Sequence, residues 1–100
     1  MLTIDEIKQK LAPIFDGNGV KKAVLFGSYA KAGATNKSDI DLMIDAEDHI
    51  RGLKLYGILG EIKDSIGLDV DLIVQRMIIE NSRIDQEIKN TGVVIYERTN

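Results

Sequence analysis

Residues 27–41 read GSYAKAGATNKSDID, and the rest of the chain is predicted to be the scaffold that supports this stretch. The apolar run before it, residues 23–26, is typical of a buried strand, and Gly27-Ser28 ends that run abruptly. Because glycine has no Cβ, the backbone at Gly27 can approach a ligand closely, and backbone N–H groups together with the Ser28 hydroxyl can hold phosphate oxygens. The pattern therefore predicts a phosphate-binding turn.

A second strand is predicted at the end of this stretch, and it carries two carboxylates. Side chains at i and i+2 of a strand share a face, so Asp39 and Asp41 point to one side while Ile40 and Leu42 point to the other. A strand rises about 3.3 Å per residue, which puts the two attachment points roughly 6.6 Å apart. Carboxylate oxygens at that spacing suit one or two Mg²⁺ ions, whose coordination is completed by substrate phosphates and water.

The order of strand, Gly27-Ser28, spacer and Asp39-x-Asp41 resembles the signature of the nucleotidyltransferases of the DNA-polymerase-β-like superfamily. The similarity is closest to the minimal MNT-type nucleotidyltransferases, single small domains that often pair with a HEPN-domain protein, and it covers nearly the whole chain. It implies an α/β (α+β) fold of the polymerase-β-like nucleotidyltransferase type, with a mixed sheet of about four strands and helices packed mainly on one side.

The same resemblance implies roles for individual residues. Gly27 and Ser28 would lie at the phosphates of ATP, and Asp39 and Asp41 would bind two Mg²⁺ ions with a third carboxylate from a neighbouring strand. The matching position for that carboxylate is Asp71, as metal ligand or general base, with the nearby Asp69 as the alternative. Many members carry arginine where this chain has Lys31, which keeps the positive charge near the phosphates but lacks the forked donor geometry of arginine.

Composition limits the other possibilities. One hundred residues suffice for one compact domain, so residues 1–100 are predicted to form a single minimal nucleotidyltransferase domain. The net charge is −3 and the basic residues are scattered, which argues against nucleic acid as the main partner. Without cysteine there are no disulfides or thiolate metal sites, and without a signal peptide or a membrane-spanning run the chain is predicted to be cytoplasmic, with no membrane partner.

Apolar periodicity and capping signals predict the remaining elements. Thr3 and Glu6 form a capping-box pattern for a first helix over residues 3–15, which Pro13 is expected to end. A second helix is expected to begin at Glu47 or Asp48, to bury a stripe that includes Leu53 and Tyr56, and to end at Gly67. Strands are predicted at residues 22–27, 40–44, 68–74 and 93–96, and a helix over residues 77–89 with an interruption at Asn81-Ser82.

Three functions are compatible with this pattern. In the first, the resemblance implies an Mg²⁺- and ATP-dependent protein adenylyltransferase that modifies a hydroxyl, in particular a tyrosine, of a HEPN-type toxin and so serves as its antitoxin. In the second, the chain neutralises or scaffolds its partner by occlusion, with little or no catalysis. In the third, the acceptor is a small molecule, although the resistance enzymes of the superfamily carry an additional helical domain. A homo-oligomer is compatible with each of the three.

Overall fold

The computed structural model describes residues 2–30, 39–47 and 50–98. Within these ranges the chain forms three α-helices and four strands, with short 3₁₀ turns at Gly27–Tyr29 and Gln75–Met77. In chain order the elements are α1 (Ile4–Gly17), β1 (Val20–Phe26), β2 (Ile40–Ala46), α2 (Leu53–Ile66), β3 (Val70–Val74), α3 (Arg83–Thr91) and β4 (Val93–Glu97).

The four strands form one mixed sheet in the order β3-β2-β1-β4. β1 pairs antiparallel with both β2 and β4, whereas β2 and β3 are parallel. A parallel pair needs a crossover connection, and α2 provides it. The mixed four-stranded sheet agrees with the predicted fold class.

Helices cover the two faces of the sheet unequally. The main core lies between one face and helices α1 and α2, whose buried side chains are Ile7, Leu11, Phe15, Ile58, Ile62 and Ile66. The opposite face carries a smaller cluster of Val24, Phe26 and Met43, against which Ile73, Ile78 and Ile88 pack. The prediction of helices mainly on one side is confirmed, and α3 is the helix that lies on the other side.

The start of α1 follows the prediction, but its end does not. Thr3 Oγ1 accepts from the Glu6 amide at 3.1 Å and the Glu6 side chain accepts from the Thr3 amide at 3.1 Å, which completes the capping box. The helix then continues through Pro13 to Gly17. Pro13 has no N–H to donate to the Gln9 carbonyl, but both residues are exposed, so that carbonyl lies at the surface. Burial of Phe15 stabilises the extra helical turn.

Helix α2 buries Ile62 and Ile66 of the predicted stripe, but its first turn does not follow the prediction. It begins at Leu53 after Gly52, which has a φ of 54° and provides no side-chain cap, so the predicted cap at Glu47 is wrong and Asp48 lies outside the described residues. Leu53 and Tyr56 are 90% and 72% exposed, so the predicted burial of both is also wrong. The end at Gly67, with a φ of 70°, is confirmed.

The C-terminal elements follow the predicted order, but the start of the helix predicted over residues 77–89 is wrong, since α3 begins at Arg83. Asn81 has a φ of 64° and the Ser82 Oγ accepts from the Asp85 amide, so the expected break at Asn81-Ser82 is the start of α3 rather than an interruption within a longer helix. No helix among the described residues combines the length and the apolar character needed to cross a membrane.

Candidate active site

The parallel pairing of β2 and β3 brings two of the predicted carboxylates together. Asp41 and Asp71 are partners in the register of this pair, so they lie directly side by side on adjacent strands, which are separated by about 4.8 Å. Side chains alternate between the two faces along each strand, and Ile40, Leu42 and Val70 face the main core. Asp41 and Asp71 therefore face away from the main core. The carboxylates therefore project from the face that carries α3.

Asp39 and Asp69 continue this arrangement at the edge of the described region. Asp39 is exposed and lies one residue before β2, and Asp69 lies one residue before β3. The Ile40 amide donates to the Asp69 carbonyl at 3.0 Å, which extends the strand pairing by one residue. Asp71, rather than Asp69, is the residue that pairs with Asp41 and shares a cavity with it.

A fourth carboxylate, Glu87 of α3, was not predicted from the sequence. It lies at the same cavity as Asp41 and Asp71, and its carboxylate oxygen would be 3.3 Å from a Cβ placed on Gly27. Glu87 stands in the sequence between Ile84 and Ile88, which lie one helical turn apart on α3. An acidic residue that interrupts an apolar stripe is the signal that could have identified it.

The crowding of acidic groups has an electrostatic consequence at Asp41. Partial burial, and then the negative charges of Asp71, Glu87 and Asp39, raise the pKa of Asp41 from 3.8 to about 6, with a further contribution from a hydrogen bond with Asp71. The ionised form of Asp41 is therefore penalised by uncompensated negative charge. A bound cation would relieve that penalty.

This penalty makes the stability of the metal-free protein depend on pH. Because the pKa of Asp41 is higher in the folded chain, its protonated form favours folding below about pH 4, and this contribution is lost as the pH rises through 6. At pH 8 we expect Asp41→Asn to be more stable than the wild type by about 1 kcal/mol, a figure reduced for solvent screening because the carboxylate is only partly buried. Urea unfolding in EDTA at pH 8 and pH 4 measures this, and an equal difference at the two pH values would contradict the account.

Gly27 is held where no other residue fits without strain. Its φ of 75° lies in the left-handed region, and a Cβ at this position would collide with Oδ2 of Asp41. The Gly27 amide donates to Thr91 Oγ1 at 3.0 Å, and Thr91 Oγ1 donates to the Glu87 carbonyl at 2.7 Å. The turn after β1 is therefore tied to the last turn of α3, directly beside the carboxylates.

The other residues predicted at the phosphates divide into two groups. Ser28 is exposed in the 3₁₀ turn Gly27–Tyr29, so its hydroxyl is accessible to a ligand. Lys31, predicted to add positive charge near the phosphates, lies outside the described residues. Tyr29 packs into the main core and does not line the carboxylate cavity.

The donor set of this cavity fits a hard divalent cation. The cavity has a volume of about 390 Å³, and its polar side chains are carboxylates, which are the ligands that Mg²⁺ prefers. Within residues 2–30, 39–47 and 50–98, no three acidic or histidine side chains are already gathered as a metal site. The structure thus pairs Asp41 with Asp71 and brings the charge of Asp39 close to them, and the raised pKa of Asp41 is the observation in favour of a cation.

The chain is similar to several known proteins. The protein adenylyltransferase MntA of Thermococcus cleftensis is 32% identical over 79 residues, which cover 75% of this chain and 80% of that protein. A crystal structure of a toxin-antitoxin with AMP-PNP has a TM-score of 0.77 and 22% identity over 91% of this chain and 73% of that one. A tri-AMPylated Shewanella oneidensis HEPN toxin in complex with its MNT antitoxin has a TM-score of 0.73 and 19% identity over 96% of this chain and 74% of the other.

The model of one family, described as polymerase beta, nucleotidyltransferase, matches residues 9–100, which is nearly the whole chain. The matched region includes the Gly27-Ser28 turn and the paired strands that carry Asp41 and Asp71. This chain therefore belongs to the polymerase beta nucleotidyltransferase family.

Proposed function

We propose that this protein is an Mg²⁺-dependent protein adenylyltransferase that moves AMP from ATP to a tyrosine hydroxyl of a HEPN-type toxin and so acts as its antitoxin. The observation that carries the proposal is the pairing of Asp41 with Asp71 beside the Gly27 turn, which has no room for a side chain, in a chain of this family. Support for the acceptor comes from the T. cleftensis relative, which is named as a protein adenylyltransferase, and from the AMPylated HEPN toxin bound to a protein of the same fold.

Three carboxylates would hold the metal ions in this proposal. Asp39, Asp41 and Asp71 supply only oxygen donors, and their mutual repulsion means that they gain from a neutralising cation. When bound, Mg²⁺ supplies charge neutralisation for the phosphate oxygens and for the leaving group. Glu87 adds a fourth negative charge at the cavity, which strengthens its preference for a cation.

The remaining groups position the reactants. Because Gly27 has no side chain and Ser28 is exposed, the triphosphate can approach the backbone of this turn next to Asp41. The acceptor oxygen forms a bond to the α-phosphorus as the bond from that phosphorus to the β-phosphate oxygen breaks, and pyrophosphate leaves. The proton of the acceptor hydroxyl goes to a base, for which Asp71 is the candidate, unless its role is solely that of a ligand.

The proposed compartment is the cytoplasm. ATP and Mg²⁺ are the co-substrate and cofactor of the proposed reaction, and a chain without cysteine is compatible with a reducing environment. Residues 1–100 would act as one catalytic domain, with the partner protein supplying the acceptor.

Occlusion without catalysis is the second candidate function, and one observation favours it. Several large apolar side chains are exposed around the carboxylate cavity, so a partner protein could cover the site without being modified. The two functions differ in what the carboxylates do. If a carboxylate-free variant still silences the partner, AMP transfer is dispensable for neutralisation.

Intact-mass analysis of the partner tests the proposed function. The protein is isolated with its partner from its own cells and incubated with ATP and Mg²⁺, and the partner is expected to gain the mass of one or more AMP groups.

Asp71→Asn should lower the rate of this gain by at least about a hundredfold, because it removes a ligand or base at the reacting centre. Asp69→Asn, which changes the exposed neighbour two residues earlier, should lower it by less than about threefold. The reverse ranking would reassign the third carboxylate to Asp69, and an unmodified partner would contradict the proposed function.

A further inference from the structure

Exposed apolar side chains are concentrated along one edge of the sheet. Six large hydrophobic residues are exposed among residues 2–30, 39–47 and 50–98, and only Val94 of these belongs to β4, at the far edge. The other five lie on α2, on the segment that follows β3, or on α3, and they are Leu53, Tyr56, Met77, Ile79 and Ile84.

All of these five residues except Leu53 line one of two apolar grooves, which adjoin β3 from its two sides. On the side of the main core, Tyr56 of α2 lines a groove of about 150 Å³ together with Leu72 of β3. On the opposite side, Ile73 of β3 lines a groove of about 290 Å³. The other apolar residues of that groove include Met77, Ile79 and Ile84. The exposed fractions of Met77 and Ile79 are 68% and 76%, which is unusual for such large apolar side chains.

β3 itself is open to a partner. It is the terminal strand in the order β3-β2-β1-β4, and in the described part of the chain it pairs only with β2. Edge strands of this kind are normally protected by charges, by bulges or by a covering element, because their backbone groups can pair with another chain. Here the edge is instead flanked by apolar side chains on both faces of the sheet.

The carboxylate cavity shares lining residues with both grooves. Its lining includes Leu72, which it shares with the groove on the α2 side, and Ile73 and Ile84, which it shares with the groove on the α3 side. Asp41 and Asp71 therefore lie beside or on the strand that both apolar grooves adjoin. A molecule that binds along the β3 edge would therefore lie next to the carboxylates of Asp41 and Asp71.

We propose that the acceptor is a protein that docks an apolar face across this edge and thereby brings its hydroxyl to the carboxylates, an inference that rests on the proposed function. The docking surface, here called the β3 edge surface, consists of Tyr56, Leu72, Ile73, Met77, Ile79 and Ile84.

The extent and chemistry of the β3 edge surface favour a protein over other occupants. It spans both sides of β3, which exceeds the reach of one small molecule, and apolar side chains give a polar metabolite few hydrogen bonds. A second copy fixed on this surface would cover the mouth of the carboxylate cavity and exclude the acceptor. An apolar surface beside polar catalytic groups matches the anatomy of a protein interface.

Transfer from radiolabelled ATP to proteins in an extract of the organism's own cells tests the inference. The variants Ile79→Glu and Tyr56→Glu place a charge on either side of β3, and both residues are mostly exposed, so neither change should disturb the core. Each variant is expected to label the acceptor at least about tenfold more slowly than the wild type, because a charge is buried without a partner on docking. The affinity for Mg²⁺-ATP, measured by equilibrium titration without acceptor, should be unchanged.

Val94→Glu is the matched control, because it introduces the same charge at an exposed apolar residue on the opposite edge of the sheet. It should label at the wild-type rate. Wild-type rates in both edge variants, with labelling still present, would overturn the docking inference alone. If the wild type labels no protein, the proposed function fails and the inference fails with it. If sedimentation shows a wild-type dimer that Ile79→Glu dissociates, a second copy occupies the surface and the assignment to an acceptor is overturned.

Discussion

The double substitution Asp39→Asn, Asp41→Asn is expected to lower AMP transfer by at least about a thousandfold while the fold is retained. Asparagine preserves the shape of each side chain but removes two of the charges that would hold the cation. Neither aspartate belongs to the core clusters, and Asp41 lies among negative charges that already penalise it, so the variant should fold as well as the wild type. The measurement is the rate at which the partner gains AMP, with circular dichroism as the check on folding.

Asp45→Asn provides a matched control for this experiment. Asp45 lies on β2 four residues after Asp41, so its side chain projects from the same face of the sheet. Its partner on β1 is Lys22, whereas the partner of Asp41 is Phe26 at the other end of that strand. The surface depression that Asp45 lines also contains Lys21, Glu97 and Arg98 rather than the predicted metal ligands. Transfer by Asp45→Asn should stay within about twofold of the wild type. A double variant that retains wild-type transfer would remove Asp39 and Asp41 from the mechanism.

The second large effect is expected for Gly27→Ala, which should both destabilise the fold and impair transfer. A left-handed φ costs a non-glycine residue about 1–2 kcal/mol, and the new methyl group would collide with the Asp41 carboxylate. Displacement of that carboxylate adds to the cost, so we expect a total loss of about 2–3 kcal/mol in the free energy of unfolding. Because Asp41 must move, transfer should fall by at least about a hundredfold even at temperatures where the variant is folded.

Gly57→Ala shows what the same substitution does where glycine is not required. Gly57 lies inside α2, has no positive φ, and leaves space for a methyl group, since a Cβ added there would have no neighbouring atom within 4 Å. Alanine favours a helix by up to about 1 kcal/mol over glycine, so this variant should be more stable and fully active. Urea unfolding and transfer assays on the pair test the claim, and a Gly27→Ala protein with wild-type stability and activity would refute it.

Local signals in the sequence predicted the parts of the fold that depend on neighbouring residues. The capping box at Thr3, the end of α2 at Gly67 and the break at Ser82 are each decided within one turn of the chain. The facing of Asp41 relative to Leu42 also follows from the alternation of a strand alone. The placement of Asp71 next to Asp41 followed from resemblance to a family rather than from spacing, because the crossover register is a tertiary property.

The wrong predictions concern features that depend on tertiary packing. Pro13 ends a helix only if the lost hydrogen bond is not offset, and here burial of Phe15 offsets it. α2 is apolar on more than one side, so periodicity could not show that Ile58 faces the core while Tyr56 faces solvent. Glu87 could not be assigned to the site from the sequence, because its proximity to Asp41 depends on how α3 packs against the sheet.

The crossover through α2 also has a consequence for the rate of folding. β2 can pair with β3 only after the whole of α2 has been spanned, as the partners Ile40 and Val70 show, and β1 pairs with β4 across a still longer part of the chain, as Val24 does with Val94. Closing such a connection costs chain entropy before its contacts form, and the pairing of β2 with β3 also brings Asp41 and Asp71 into repulsion. We therefore expect cations that screen the acidic cluster to speed this step of folding, whereas the pairing of β4 with β1 closes the longest connection in the sheet.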